Sequence, residues 1–144
     1  MVVRALIVAA IVVAVLVALQ PKGHSISFGS HTLRAEIADD VFEQTQGLSG
    51  RDSLDDDAAM LFVFMPPDDR AFWMKDVRFP IDIIWLRGDT VVGIAKNVQP
   101  EPGVPDAELA RYRSPGPVSQ VIEVVAGTAD RLGIHDGDVM HVRR

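Results

Sequence analysis

Three ionisable residues interrupt otherwise apolar segments of this chain and are the first candidates for chemistry. Lys75, Asp82 and Glu123 each stand in a run dominated by Ile, Val, Leu, Phe, Trp and Met. An unpaired buried charge is costly, so each side chain needs an opposite charge, a water-filled pocket or a shifted pKa. If the three converge, one of them can act as an acid, a base or a ligand contact. A structural ion pair or a solvent-facing position is the competing interpretation.

Four further residues complete the predicted ligand-binding set. Asp76 directly follows the lysine and adds a carboxylate beside it. Arg51 follows a glycine-rich turn and can present its guanidinium to an anion, although the turn is too short for a phosphate loop. Trp73 and Tyr112 offer flat faces on which a sugar can stack, but large aromatic side chains more often belong to the core.

No metal or other cofactor is predicted. The acidic cluster between positions 52 and 57 lacks the glycine and the glutamate that a calcium loop of the EF-hand type requires. The four histidines have no metal-ligand spacing such as a helical i, i+4 pair. The acidic cluster is therefore interpreted as a solvated loop.

Composition limits the class of protein and its partners. The chain has 144 residues, a formal net charge of −6 and no cysteine. About 120 residues can form one stable core without disulfides. The arginines are scattered and form no basic stripe, so nucleic acid is not an expected partner.

The N-terminus predicts a membrane-related segment. Residues from Ala5 to Leu19 are all apolar and follow a single Arg4. A bilayer-spanning helix needs about 20 apolar residues, and the sequence around Ala18 is a poor signal-peptidase site. Residues 1–23 are therefore predicted to be a signal-anchor, with a cleaved signal peptide as the alternative. Either one places the domain of residues 24–144 outside the cytoplasm, as a membrane-anchored or a secreted protein.

The rest of the chain predicts a mainly β domain. Its short apolar segments are separated by turn residues, and glycine-containing turns at Gly29-Ser30 and Gly88-Asp89 predict hairpins. We expect an antiparallel β-sandwich or flattened barrel of about eight short strands, with one or two short helices at 41–45 and 127–132. Five prolines make residues 99–117 a long loop. The predicted strands cover residues 25–28, 33–38, 60–65, 71–76, 81–86, 90–95, 118–126 and 138–142.

Several blocks of sequence occur in an order that resembles the domain of unknown function 192 family. The blocks are Gly47-Leu48-Ser49-Gly50-Arg51, Met60-Leu61-Phe62-Val63-Phe64, Phe72-Trp73-Met74-Lys75, Pro80-Ile81-Asp82-Ile83, Val121-Ile122-Glu123-Val124 and Gly137-Asp138. The resemblance implies a compact, mainly β domain, frequently behind an export signal, with no known cofactor or catalytic residue. This chain departs from the usual pattern at Ser49, Ala59 and Asp76, where the family often has methionine, glycine and asparagine.

Three functions are compatible with these features. The first is an exported, tethered β domain that binds a small or carbohydrate-like ligand between the strands of Trp73, Lys75 and Asp82 and the proline-rich loop. The second is an envelope carbohydrate hydrolase or lyase, in which two carboxyl groups among Asp76, Asp82 and Glu123 lie about 5 to 9.5 Å apart. The third is a structural or assembly partner in an envelope complex, which would show an exposed apolar patch.

Overall fold

The structure, a computed structural model, describes residues 23–143. Within this range the chain forms nine strands and two short helices. Their bounds are β1 His24–Phe28, β2 His31–Ala38, α1 Val41–Gln46, β3 Ala58–Asp68, β4 Ala71–Phe72, β5 Ile81–Arg87, β6 Thr90–Val98, β7 Tyr112–Arg113, β8 Val118–Val125, α2 Thr128–Arg131 and β9 Met140–Arg143.

Seven of these strands form one mixed sheet in the order β6-β5-β8-β3-β2-β1-β9, and β4 pairs with β7 in a small second sheet. The large sheet curls into a half-barrel, and its two edges approach each other where Thr90 bridges Val139. The mainly β prediction is therefore confirmed. Of the predicted antiparallel sandwich or flattened barrel, the structure supports a curled half-barrel, and the antiparallel arrangement is broken where β2 and β3 are parallel neighbours with Arg34 opposite Ala58.

The parallel pair has a physical cause in the connection between its strands. A parallel neighbour requires a crossover, and residues 39–57 supply one through α1 and the acidic loop. Asp40 caps α1 by accepting a hydrogen bond from the Glu43 amide at 2.8 Å, and Gly47 ends the helix with a φ of 50°. The observed helix starts where the sequence predicts a helix at 41–45 and extends one residue further.

The predicted strand at 71–76 is wrong beyond Phe72. The chain leaves β4 there, and residues 74–77 form a tight turn in which the Val77 amide donates to the Met74 carbonyl at 3.2 Å. Asp76 has a φ of 54°, which extended backbone does not allow. Trp73 and Lys75 are consequently loop residues, and strand alternation does not place them on a common face.

The two faces of the large sheet carry separate apolar clusters. One face holds Ile84 and Ile122, and β9 and α2 help to enclose it. The other holds Ile83, Trp85 and Val121, and the 74–79 segment covers it. This second, covered face positions the candidate site, because it fixes the turn at 74–77 on the sheet.

The predicted signal-anchor or signal peptide at residues 1–23 lies almost entirely outside the described residues. No helix within residues 23–143 combines the length and apolar character that crossing a bilayer requires. The placement of residues 1–23 therefore stays a prediction.

Candidate functional site

A groove of about 400 Å³ separates the 74–78 turn from the proline-rich loop. Its floor is apolar, because Met74, Val77 and Leu109 are buried beneath it. Its rim is charged. The lining residues are Met74, Lys75, Asp76, Val77, Arg78, Pro100, Glu101, Pro102, Gly103, Val104, Asp106 and Leu109.

Backbone hydrogen bonds hold the turn wall of the groove in place. The Asp76 carbonyl accepts from the Gly50 amide at 2.9 Å, and the Ser49 hydroxyl donates to the Lys75 carbonyl at 2.7 Å. Asp76 occupies a left-handed backbone conformation, which Asp and Asn tolerate better than most residues. That requirement explains why an aspartate can stand where the family often has asparagine. The side chain of Asp76 is exposed and remains available at the groove.

The loop wall is ordered by its own side chains. The Glu101 carboxylate accepts from the Ala110 amide at 3.2 Å and so closes the loop. Arg111 donates to the carbonyl of Leu109 at 3.1 Å and to that of Asp106 at 3.2 Å. The loop therefore forms a defined wall without a helix or a strand in its central part.

Charged side chains span and flank the groove. Lys75 on the turn forms an ion pair with Asp106 on the loop, and this hydrogen bond raises the pKa of the lysine, which keeps it protonated at neutral pH. Arg78 pairs with Asp52 at 2.5 Å. Two cations and three carboxylates line the groove, so its formal charge is −1.

The predicted aromatic platforms are not free for stacking. The guanidinium carbon of Arg111 lies 4.0 Å from the centre of the Trp73 ring, and Lys75 Nζ lies 5.5 Å from it. Tyr112 is half-buried in β7 and packs against the covered apolar face. Trp85 is buried. Arg111 thus covers one face of Trp73, and Tyr112 and Trp85 pack against the apolar side chains of the covered face.

Asp82 has a structural role. It is 1% exposed, and its two carboxylate oxygens accept hydrogen bonds from the Asn97 amide at 2.9 Å and the Ala129 amide at 3.0 Å. Asn97 has a φ of 52°, and Ala129 lies in the first turn of α2. Asp82 thus fixes the end of β6 and the start of α2, and it does not reach the groove.

Glu123 lies apart from both Asp82 and Lys75. In the β5–β8 pair, Asp82 is opposite Val124 and Ile83 is opposite Glu123, so the two acidic side chains point to opposite faces of the sheet. Lys75 extends to Asp106. The three residues therefore do not converge on one site, and Asp82 and Lys75 have the structural hydrogen-bond and ion-pair roles of the competing interpretation.

Glu123 faces a separate, small cavity. The residue is 4% exposed, and its Oε2 atom is buried without a hydrogen-bond partner among the described protein atoms. The cavity measures about 30 Å³, which accommodates a group about the size of a water molecule. Burial raises the pKa of Glu123 to about 8, and the charge of Arg51 opposes this rise. Glu123 is thus a carboxylic acid that stays largely protonated at neutral pH.

Arg51 is held by a different carboxylate. Its two terminal nitrogens donate to Glu36 at 2.8 and 2.7 Å in a two-bonded pair between the loop and β2. This hydrogen bonding raises the pKa of Arg51 and lowers that of Glu36. Arg51 therefore anchors the loop and does not line the groove.

Of the predicted set, Lys75 and Asp76 meet the proline-rich loop in the groove. Sequence reasoning missed the other charged members, Arg78, Glu101 and Asp106. The loop itself was a usable signal, since long ordered loops are often functional. Within residues 23–143 no group of three or more His, Asp or Glu is placed to hold a metal ion.

The fold and the groove together define a curled, mainly β domain with a lateral ligand-sized groove between a turn and an ordered loop. The chain belongs to the DUF192 family, described as an uncharacterized ACR, whose model matches residues 24–142. This match confirms the resemblance drawn from the sequence blocks. Comparison with curated proteins gives no match.

Two solved structures are similar to this chain. A protein of unknown function from Novosphingobium aromaticivorans is 33% identical, with a TM-score of 0.72 over 83% of each chain. A protein from Sinorhizobium meliloti, described as a candidate transcription regulator, is 32% identical with a TM-score of 0.72. That match covers 83% of this chain and 91% of the other.

Residues from four of the family-like blocks meet around Glu123. Gly47 ends α1 so close to this point that a Cβ there would lie 3.3 Å from the Phe62 ring and 3.8 Å from Glu123 Oε2. Lining residues from these blocks are Gly47, Leu48, Ser49, Phe62, Phe72, Trp73 and Glu123. The blocks therefore build the support beneath the 74–77 turn, while the far wall of the groove comes from residues outside them.

Proposed function

We propose that this protein is a binding domain that takes a small, polar, carbohydrate-like ligand in the groove between the 74–78 turn and the proline-rich loop. The groove carries the proposal, because it combines an apolar floor, a charged rim and a volume of about 400 Å³. Small-molecule sites commonly have volumes of roughly 300–1,000 Å³ and a few polar groups that orient the ligand.

The charges of the rim select the class of ligand. A formal charge of −1 disfavours free phosphate, nucleotides and other strongly anionic ligands. Ammonium, guanidinium and carboxylate groups together provide both donors and acceptors for hydroxyl groups. The apolar floor at Met74, Val77 and Leu109 suits the C–H face of a sugar ring. A neutral polyhydroxylated molecule matches all of these features.

The proposal includes an extracytoplasmic location. Residues 1–23 would anchor the chain in a membrane or direct its export, as their uninterrupted apolar run indicates. The ligand would then be a small carbohydrate or an envelope fragment outside the cytoplasm.

Of the carboxyl pairs considered for a hydrolase, Asp82 with Glu123 is disfavoured, since these two side chains are on opposite faces of the sheet. Nucleic acid is also disfavoured as a partner. Basic side chains such as Arg34, which contacts Asp55 and Asp57, are already paired with carboxylates, and this pairing reduces their attraction for phosphates.

Thermal unfolding of the full chain with a ligand panel tests the proposal. The panel contains neutral mono- and oligosaccharides, cell-wall fragments, nucleotides and divalent ions. A ligand at a hundredfold excess over its Kd adds about 2.7 kcal/mol to the stability of the native state. We expect a neutral sugar or a cell-wall fragment to raise the Tm by several degrees and nucleotides to have no effect.

A matched pair of variants localises any stabilisation. Lys75 and Lys96 each form one ion pair with an aspartate, and their side chains are 40% and 43% exposed. Lys75→Met should abolish the ligand-induced rise in Tm, whereas Lys96→Met should leave it unchanged. Equal losses in both variants, or no stabilising ligand in the panel, would contradict the proposed groove.

A further inference from the structure

We propose that one end of the half-barrel rests on the membrane surface through an apolar rim formed by Val41, Phe42, Met65 and Val142. These side chains are among the few large apolar residues exposed within the described part of the chain. Val41, Phe42 and Met65 are 81%, 74% and 83% exposed, and Val142 is 36% exposed. Several exposed apolar residues at one end of a domain are typical of an interaction surface.

The sheet topology brings the rim residues to one end of the domain. β2 and β3 are parallel and finish at this end, and β9 finishes there too, because both β2 and β9 are antiparallel to β1. Met65 follows the regular pairing of β3, which ends at Val63. Val142 lies in β9 opposite Ile26.

Helix α1 contributes the other two exposed apolar side chains at this end, Val41 and Phe42. It starts three residues after the end of β2, and its Gln44 side chain donates to the Val63 carbonyl at 2.7 Å. This bond fixes the helix beside the end of β3 and leaves Val41 and Phe42 in its first turn facing solvent. Met65 and Val142 line a shared groove of about 290 Å³ with Ile37 and Val63.

The point at which the chain enters the domain indicates that a membrane surface covers this rim. β1 begins at His24 at this same end, and only four residues separate His24 from the apolar segment that finishes at Leu19. Five extended Cα steps span at most about 18 Å. This inference rests on the proposed membrane tether, since a chain anchored through residues 1–23 must hold this end of the domain within that distance of the bilayer.

The charges around the rim indicate the kind of lipid surface. Asp39, Asp40 and Glu43 are exposed beside Val41 and Phe42. Arg143 follows Val142, and Arg70 donates to the Pro66 carbonyl next to Met65, so the rim carries three carboxylates and two cations. Carboxylates at this position repel anionic headgroups, so the rim suits a zwitterionic surface such as phosphatidylcholine. Apolar side chains at the level of the headgroups contribute to binding in proportion to the area they bury.

Site-specific fluorescence of the full chain in phosphatidylcholine vesicles tests the rim. The chain has no cysteine, so single-cysteine variants at Phe42 and Met65 take an environment-sensitive label without background. Ser30, exposed in the β1–β2 turn at the opposite end, is the control position. We expect the labels at positions 42 and 65 to shift to shorter wavelength and to be quenched by spin-labelled lipid, and the label at position 30 to stay unchanged.

The outcomes separate the tether from the rim. If the full chain does not float with the vesicles, the tether fails and the rim proposal fails with it. If the chain floats but the labels at 42 and 65 remain accessible to an aqueous quencher, only the rim proposal is overturned. Shielding that rises with the protein-to-lipid ratio and is insensitive to spin-labelled lipid would assign the rim to a second copy of the chain and would also overturn the proposal.

A second comparison uses surface substitutions, which should leave the fold unchanged. With the label at position 41, the double change Phe42→Ser and Met65→Ser should reduce lipid quenching, because it removes two apolar contacts from the exposed surface without opening the core. Replacing part of the phosphatidylcholine with phosphatidylglycerol should reduce the quenching of the unmodified rim. An increase on adding anionic lipid would contradict the proposed lipid preference.

Discussion

Glu123 couples the protonation of one buried side chain to the stability of the fold. Its pKa is raised to about 8 by burial, while the unfolded chain has an ordinary value of about 4.5. Between these two values the native state holds a proton that the unfolded state has released. The contribution of Glu123 is therefore fully present below about pH 4.5 and is lost as the pH rises through about 8.

Glu123→Gln should remove this pH dependence. We expect the wild-type protein to lose stability, on the order of a few kcal/mol, between pH 5 and pH 9, and the variant to change much less over that range. Urea unfolding at both pH values measures the difference. Glu108→Gln, in the exposed loop, is the control and should follow the wild type. Parallel pH profiles for the wild type and Glu123→Gln would show that Glu123 ionises in the folded protein as it does in water.

Asp82 should contribute to stability and not to ligand binding. Asp82→Ala leaves the buried Ala129 amide without its acceptor, at a cost of roughly 1–3 kcal/mol, and it also removes a partly buried bond from the Asn97 amide. Asp138→Ala removes one comparable bond, to the His135 amide, from an exposed turn and should cost less. Urea unfolding compares the two variants. A loss in Asp82→Ala no larger than in Asp138→Ala would contradict the structural role.

The turn wall of the groove depends on a left-handed residue that is not glycine. Asp76 has a φ of 54° at the tip of the 74–77 turn. Asp76→Gly should keep the thermal stability, because glycine adopts this conformation readily, whereas Asp76→Val should lose about 1–3 kcal/mol. Differential scanning calorimetry measures both changes. If Asp76→Gly also weakens ligand binding while the stability is kept, the carboxylate itself contacts the ligand. A valine variant as stable as the glycine variant would contradict the assigned strain.

Elements set by local sequence were predicted well. The Gly29-Ser30 hairpin depends on a two-residue turn, and α1 depends on the cap at Asp40 and the glycine at Gly47. The parallel pairing of β2 with β3 depends on contacts across the crossover, which no local pattern encodes. The strand predicted at 71–76 failed because its apolar side chains cover the sheet from a turn, and burial alone does not distinguish a turn from a strand.

The candidate site was predictable only in part for the same reason. Lys75 and Asp76 were visible as charges in an apolar segment, but Glu101 and Asp106 belong to a wall more than twenty residues away in sequence. Asp82 and Glu123 present the same sequence pattern, a single carboxylate within a buried strand. Only the strand register shows that they point to opposite faces.

The whole domain divides into three regions, namely the curled sheet, the groove and the apolar rim. The curled sheet provides stability through two apolar clusters, and the turn and loop beside its covered face form the groove. The end at which β1 begins carries the apolar rim. The formal net charge of the chain is −6, and within residues 23–143 basic side chains such as Arg34 and Arg51 form ion pairs with carboxylates.

Two-dimensional amide NMR maps ligand contacts over the whole domain and so tests directly whether the groove binds the ligand. The isotope-labelled protein is titrated with the neutral saccharides and cell-wall fragments of the panel. The proposal predicts saturable shifts that concentrate at residues 74–78 and 100–109 and disappear in Lys75→Met but persist in Lys96→Met. Shifts that concentrate elsewhere, or no saturable shift with any of these ligands, would contradict the assignment of the groove as the binding site.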